Sequence, residues 1–289
     1  MVTHATKADW QQGQDALRAE VERVTKLLRS IQDPTVPAVG SWSLAEVAMH
    51  LSQAWMGLPC QARKDLSQVY EVLPDIAGTA GDSMMKNIWE LGDLMVLAVK
   101  QDPERDLRVL ADRIEAQAKQ YFSECAGASP ETPGPWIVEG LTFPVSIFTY
   151  HLLNETLIHG YDIAHAAGRK WPIEHSHAAM ALERFALRVL QASPPQTFAS
   201  AKAAGLRATY DVRIRGGGNY YFVFNNGDFT VEEPSSRTVD CHISADPLAL
   251  LLVFFARQSQ WTAIAKGKLI AWGRKPWLGL QLRSFLRNP

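Results

Sequence analysis

His151-Leu152-Leu153-Asn154-Glu155-Thr156-Leu157-Ile158-His159-Gly160-Tyr161-Asp162 is the stretch on which the reading of this chain turns. The spacing describes a helix with apolar residues on one side and His151, Glu155 and His159 four apart on another. Four residues along an α-helix make about one turn and about 6 Å of rise, so these three side chains share a face. Ile147, Phe148, Leu152, Leu153, Leu157 and Ile158 make the segment apolar enough to bury. A carboxylate and imidazoles in such a place need partners, because an unpaired buried charge is costly or shifts its pKa to neutrality. A metal ion is one such partner. A mutual Glu–His pair, or hydrogen bonding to neighbouring helices, is the other.

Outward from this stretch the N-terminal sequence reads as helices. Trp10, Leu17, Val21, Val24, Leu27, Leu28 and Ile31 recur at three- and four-residue steps over 9–31, and Asp33-Pro34 ends the pattern. Ser43 opens a second helix with Glu46 three residues on, the spacing of a capping box. Its apolar face is Leu44, Val47, Ala48, Leu51 and Trp55, with His50 beside that face. Pro59, Pro74 and Gly78 read as breakers around a short helix over about 61–73. Further helices are predicted over 82–100 and 106–125, followed by a Gly/Pro/Ser loop and an apolar stretch over 136–143. Pro144 fits the start of the helix that carries His151 to Asp162, and Gly168 fits its end. One more helix is predicted over 173–191.

Ser193-Pro194-Pro195 then opens a loop running to Gly205, the best candidate for a domain boundary. Residues 1–192 are accordingly expected to form a helical bundle with a trailing linker helix, and residues 205–289 a small α+β domain. Beyond Gly205 the period changes from helical to alternating. Ala208, Tyr210, Val212 and Ile214 share one face of a strand, 220–224 is β-rich, and Asn226-Gly227 signals a hairpin. Strands are predicted near 229–231, 238–244 and 267–272, with helices over 248–257 and 275–286. The fold class is thus α plus α+β, with a meander of strands covered on one face.

Composition narrows the function classes. The 289 residues carry a net charge of −1, which offers no electrostatic footprint for nucleic acid. The longest apolar run, Leu248 to Ala256, is far short of the roughly 20 residues a membrane span needs. No leader-like apolar segment is visible at the N-terminus, and Cys60, Cys125 and Cys241 are too scattered for a disulfide framework, so a cytoplasmic location is expected.

His50 bears on the choice left open above. Helix bundles build metal sites from side chains on facing helices, and Glu155 and His159 could supply a close pair with His50 as a third ligand. Two imidazoles and a carboxylate with an open position suit zinc or another borderline divalent ion in a reactive site. A set of core histidines satisfied by hydrogen bonds remains the competing reading.

The string Trp42-Ser43-Leu44-Ala45-Glu46-Val47-Ala48-Met49-His50-Leu51, followed downstream by Asn154 to Ala164, resembles the mycothiol-dependent maleylpyruvate isomerase family. The resemblance implies a DinB-like four-helix bundle over roughly residues 1–170, with metal ligands falling on His50, Glu155 and His159. It implies a mycothiol-type thiol as cofactor, activated by the ion to a thiolate that adds to a small electrophilic substrate for isomerisation or transfer. The C-terminal part is similar to the sterol carrier protein-like domain that often follows this bundle. The chain departs from the family in one respect. An arginine that would hold a dicarboxylate substrate is expected after the second helix, yet none occurs between Lys64 and Lys100.

Other candidates are secondary. His151 and Asp162 would stand outside the ligand set, Asp162 orienting the His159 imidazole as metal-bound histidines require. Arg274, with Lys275, could meet an anionic cofactor. Trp261, Trp272 and Trp277 could line a hydrophobic pocket, which sustains an alternative function: a binding module carrying a hydrophobic small molecule or lipid in the C-terminal domain. His175 and His177 read as a solvated helix start. Gly216-Gly217-Gly218 reads as a turn between strands, without the context of a phosphate loop.

Overall fold

The computed structural model describes residues 6–287, which divide into two units, residues 6–172 and residues 173–287. In the first, α1 (Lys7–Arg29), α2 (Leu44–Arg63), α5 (Leu107–Cys125) and α6 (Ile147–Ala166) form a four-helix bundle. Helices α1 and α2 each pack on both α5 and α6. Between them lie β1 (Pro37–Val39), β2 (Trp42–Ser43), α3 (Ser67–Val72), α4 (Leu91–Gln101), β3 (Pro133–Pro135) and β4 (Thr142–Pro144). The short strands pair antiparallel as β1–β2 and β3–β4.

The caps expected from the sequence form. Ser43 Oγ accepts from the Glu46 amide while the Glu46 carboxylate accepts from the Ser43 amide, so the start of α2 is pinned two turns before His50. Gly168, at φ +67, follows α6 in the left-handed region that glycine adopts without strain.

Three readings of this unit are corrected. Pro59 does not break the second helix but sits inside α2, where Leu58, Cys60 and Gln61 are buried around it. The packing of that turn outweighs the one backbone bond that proline cannot make. The helix predicted over 82–100 begins only at Leu91, after a 3-10 turn at Ile88–Glu90. The residues before it are drawn into an extended bridge, Met84 and Met85 both donating to the Ile137 carbonyl. Pro144 ends β4 rather than starting a helix, and α6 starts at Ile147.

In the second unit α7 (His175–Ala181), a π-helical turn over Leu182–Ala186 and α8 (Leu187–Ala192) precede a five-stranded sheet. The strands are β5 (Arg207–Ile214), β6 (Asn219–Asn225), β7 (Asp228–Glu232), β8 (Cys241–Ala245) and β9 (Leu269–Trp272), in the order β7-β6-β5-β8-β9. The pair β5–β8 is parallel, so the sheet is not the simple meander expected; α9 (Pro247–Phe254), α10 (Gln260–Ala265) and α11 (Trp277–Phe285) complete the unit. Helix α10, six residues long, is not anticipated from periodicity, which needs more turns to register. The helical segment 175–192, expected to trail the bundle, belongs to this unit. There α7 packs on α9 and α8 on β7, and Glu183 in the π turn accepts from the Gly218 amide at 3.1 Å and the Tyr220 hydroxyl at 2.8 Å.

Close approach makes one glycine of the bundle testable. A Cβ on Gly160 would lie 2.5 Å from the Trp171 ring, which is itself held by the Arg23 guanidinium 4.2 Å from its centre. Gly160→Ala is expected to lower stability by about 1–3 kcal/mol through overpacking, read as an earlier thermal unfolding transition.

Candidate metal centre

His50 projects from the second turn of α2, and Glu155 and His159 project from the middle of α6, the helix against which α2 packs. One donor atom from each of the three lies within 4.8 Å of the others. Glu155 Oε2 is 3.4 Å from His50 Nε2 and 3.3 Å from His159 Nε2. The two imidazoles meet edge to face, ring centres 4.6 Å apart. The Glu155 side chain is 16 % exposed and the two histidines less, so the cluster is largely but not wholly buried.

The surrounding groups prepare these donors. Asp162 Oδ2 lies 3.2 Å from His159 Nδ1, which turns Nε2 toward Glu155. His151 Nε2 is 3.6 Å from the other carboxylate oxygen, Oε1, and so stands beside the three donors rather than among them. Burial alone would raise the Glu155 carboxyl, but its hydrogen bonds with His151, His159 and His50 outweigh this and hold it well below 4.5. Burial opposes the charge on His159 too, yet Asp162 and Glu155 carry its pKa up to about 9. His50 goes the other way, depressed first by burial and then by His159.

The residues fit a divalent ion by their chemistry and their convergence. The donor set is two imidazoles and an ionised carboxylate, with no thiolates to close a structural site. The three donor atoms also come from two packed helices and lie within 4.8 Å of one another, close enough to share one ion. The geometry places His50 Nε2, Glu155 and His159 Nε2 as the atoms that could hold the ion.

Trp42 adds an element not anticipated from the sequence: its ring centre is 5.4 Å from that of His50. It comes from β2, just before the helix cap, where no periodicity marks a residue as facing the site. Trp136 does the same for His151 at 5.6 Å. Arg274 lies exposed in the turn between β9 and α11, in the second unit. Cys60 and Cys125 are buried, and burial pushes both thiols up, Cys125 to about 11.

Asp162→Asn keeps the shape and an acceptor oxygen but removes the charge that orients His159. Metal affinity is expected to fall about ten- to a hundredfold, measured by competition with a chromogenic chelator.

The second unit holds a partly open cavity of about 600 Å³ between the helices and the sheet. Leu187, Val212, Phe222, Val253 and Leu282 contribute to an almost wholly apolar wall, on which Gln260 and Arg283 are the polar side chains.

No curated protein matches the chain significantly. The fold is that of a crystal structure of the mycothiol-dependent maleylpyruvate isomerase, at 13 % identity over 91 % of this chain and 92 % of that one, with a TM-score of 0.51. A histidine-to-alanine mutant of the isomerase matches at 11 % identity, the same coverage of both chains and a TM-score of 0.52. Residues 188–274 match the model of the SCP-2 sterol transfer family. The chain therefore has the DinB-like isomerase fold, a helical bundle followed by a sterol carrier protein-like domain.

Proposed function

We propose that His50, Glu155 and His159 bind a divalent ion, zinc by the chemistry of the donors, and that the protein is a thiol-dependent isomerase or transferase acting on a small electrophile. The convergence of the three donor atoms within 4.8 Å, in a fold shared with a mycothiol-dependent isomerase, carries this reading. A bound ion would lower the pKa of a coordinated low-molecular-weight thiol and present it as thiolate. The protein's own residues do the rest. Glu155 supplies the negative charge that balances the cation, Asp162 fixes the tautomer of His159, and Trp42 offers an apolar wall beside His50. None of the cysteines is placed to act as nucleophile, since Cys60, Cys125 and Cys241 are buried with raised pKa values. The thiol therefore comes from a cofactor such as mycothiol. Without an arginine between Lys64 and Lys100, the protein is not committed to a dicarboxylate substrate.

Metal analysis of the purified protein, paired with a thiol-consumption assay against a panel of activated double bonds, tests the proposal. One equivalent of metal and turnover that needs both metal and added thiol are expected. A protein that holds no divalent ion after reconstitution overturns it.

The apolar cavity favours a second activity for the C-terminal unit, the carriage of a hydrophobic small molecule or lipid. Its volume is in the range of small-molecule sites and its wall is almost entirely aliphatic and aromatic. Organic extraction followed by mass spectrometry is expected to recover a bound apolar compound. A protein that neither yields one nor takes up a fluorescent fatty acid or sterol would not be a carrier.

A further inference from the structure

From Pro247 to Pro289 the chain carries seven lysines and arginines and no aspartate or glutamate, although its overall net charge is only −1. The same segment holds five of the eight large hydrophobic side chains exposed among the described residues. Trp261 is 58 % exposed, Trp277 55 %, Ile270 49 % and Leu280 41 %. Trp277, Leu280 and Ile270 also line the apolar cavity, so the exposed patch and the interior are continuous. Helices α10 and α11 are tied at this edge by Gln260 Nε2, which donates to the Leu280 carbonyl at 2.9 Å. Lys266 and Arg274 are exposed at the end of α10 and in the turn before α11. Lys268 and Lys275 are paired with Asp246 and Asp240, so the exposed cations at this edge include Lys266 and Arg274.

We propose that the α10–β9–α11 edge is a peripheral docking surface for an anionic lipid bilayer. Tryptophan combines an apolar body with a polar N–H and favours the headgroup level, and lysine and arginine nearby add attraction to anionic headgroups. No described helix is long and apolar enough to cross a membrane, so the binding mode is superficial. A second copy of the chain is the poorer occupant, because a two-fold contact through this patch would set cations against cations. The position of the cavity supports the choice of a bilayer, since its apolar wall opens where acyl chains would lie. The surface does not depend on cargo: vesicle binding reads the patch, whereas extraction reads the cavity.

Co-sedimentation of the full chain with vesicles tests it. Binding is expected to equimolar phosphatidylglycerol and phosphatidylcholine, at least about tenfold weaker to phosphatidylcholine alone, and weakened by salt. Trp261→Ser with Trp277→Ser, and separately Lys266→Glu, are each expected to reduce partitioning about tenfold or more while circular dichroism stays unchanged. Absence of binding to the anionic vesicles at low salt overturns the proposal. So does binding that ignores the tryptophan substitutions, or a dimer in sedimentation velocity that those substitutions dissolve.

Discussion

His159→Ala is expected to strip the bundle of its metal and of thiol-dependent turnover together. His159 offers Nε2 beside Glu155 Oε2 at 3.3 Å, and no other described imidazole except His50 and His151 lies within reach of that carboxylate. Structural zinc sites bind with about 10–16 kcal/mol over four ligands, so losing one ligand is expected to weaken affinity by about 10²–10³-fold. Glu155→Gln should be as damaging for a different reason, because it keeps the shape but leaves a dication facing neutral donors only. His151→Ala is the informative contrast. His151 touches the other carboxylate oxygen, so its loss should weaken metal binding far less than the loss of His159. Equal effects of the two substitutions would mean that the ligand set has been misassigned.

The pH dependence of metal uptake follows from the same geometry. In the metal-free protein His159 holds its proton up to about pH 9, whereas His50 is pushed toward the neutral form and Glu155 is ionised. The ion must displace the His159 proton, so apparent affinity should climb by about tenfold per pH unit below 9 and level off above it. Isothermal calorimetry in buffers of different ionisation enthalpy should report about one proton released at pH 7.5, and none after His159→Ala.

How far the sequence speaks for this site depends on which residues carry the signal. The four-residue spacing of Glu155 and His159 is visible in one helix, and the Ser43–Glu46 cap fixes where α2 starts. The bringing together of His50 with a pair more than a hundred residues away is tertiary. Spacing alone left it open, and the resemblance to a known bundle suggested it. The aromatic walls were hidden for a similar reason: Trp42 and Trp136 reach the site from short extended segments, where no helical period points a side chain anywhere. Errors in the elements are tertiary in origin. The residues before Leu91 and Pro144 follow pairing with another segment rather than their local preference, and Pro59 is carried by the burial of its own helical turn. In the C-terminal unit, alternation and the Asn226-Gly227 turn disclosed β5, β6 and β7. The parallel pairing of β5 with β8 carries no local mark.

Thr149→Val should be among the most destabilising isosteric changes in the bundle, and its cost separates a buried hydrogen bond from packing. Thr149 is fully buried on α6, and its hydroxyl meets Trp10 Nε1 from α1 at 2.7 Å and the Tyr121 hydroxyl from α5 at 2.7 Å. One oxygen therefore joins three of the four helices. Valine fills the same volume, so no cavity opens, but Trp10 Nε1–H loses the acceptor it has among the described residues and Tyr121 loses one partner. An orphaned buried donor costs about 1–3 kcal/mol, and the second loss brings the expected total to about 2–4 kcal/mol. For a unit of this size that is a fall in Tm of roughly 5–15 °C. Thr149→Ser keeps the oxygen and gives up one methyl, and should cost about 1 kcal/mol. The deciding variant is Thr149→Val combined with Trp10→Phe. With donor and acceptor both removed no orphan remains, so the pair should be less destabilising than the sum of the single changes by about 1 kcal/mol or more. Strict additivity would place the cost in packing around Trp10 and not in the bond.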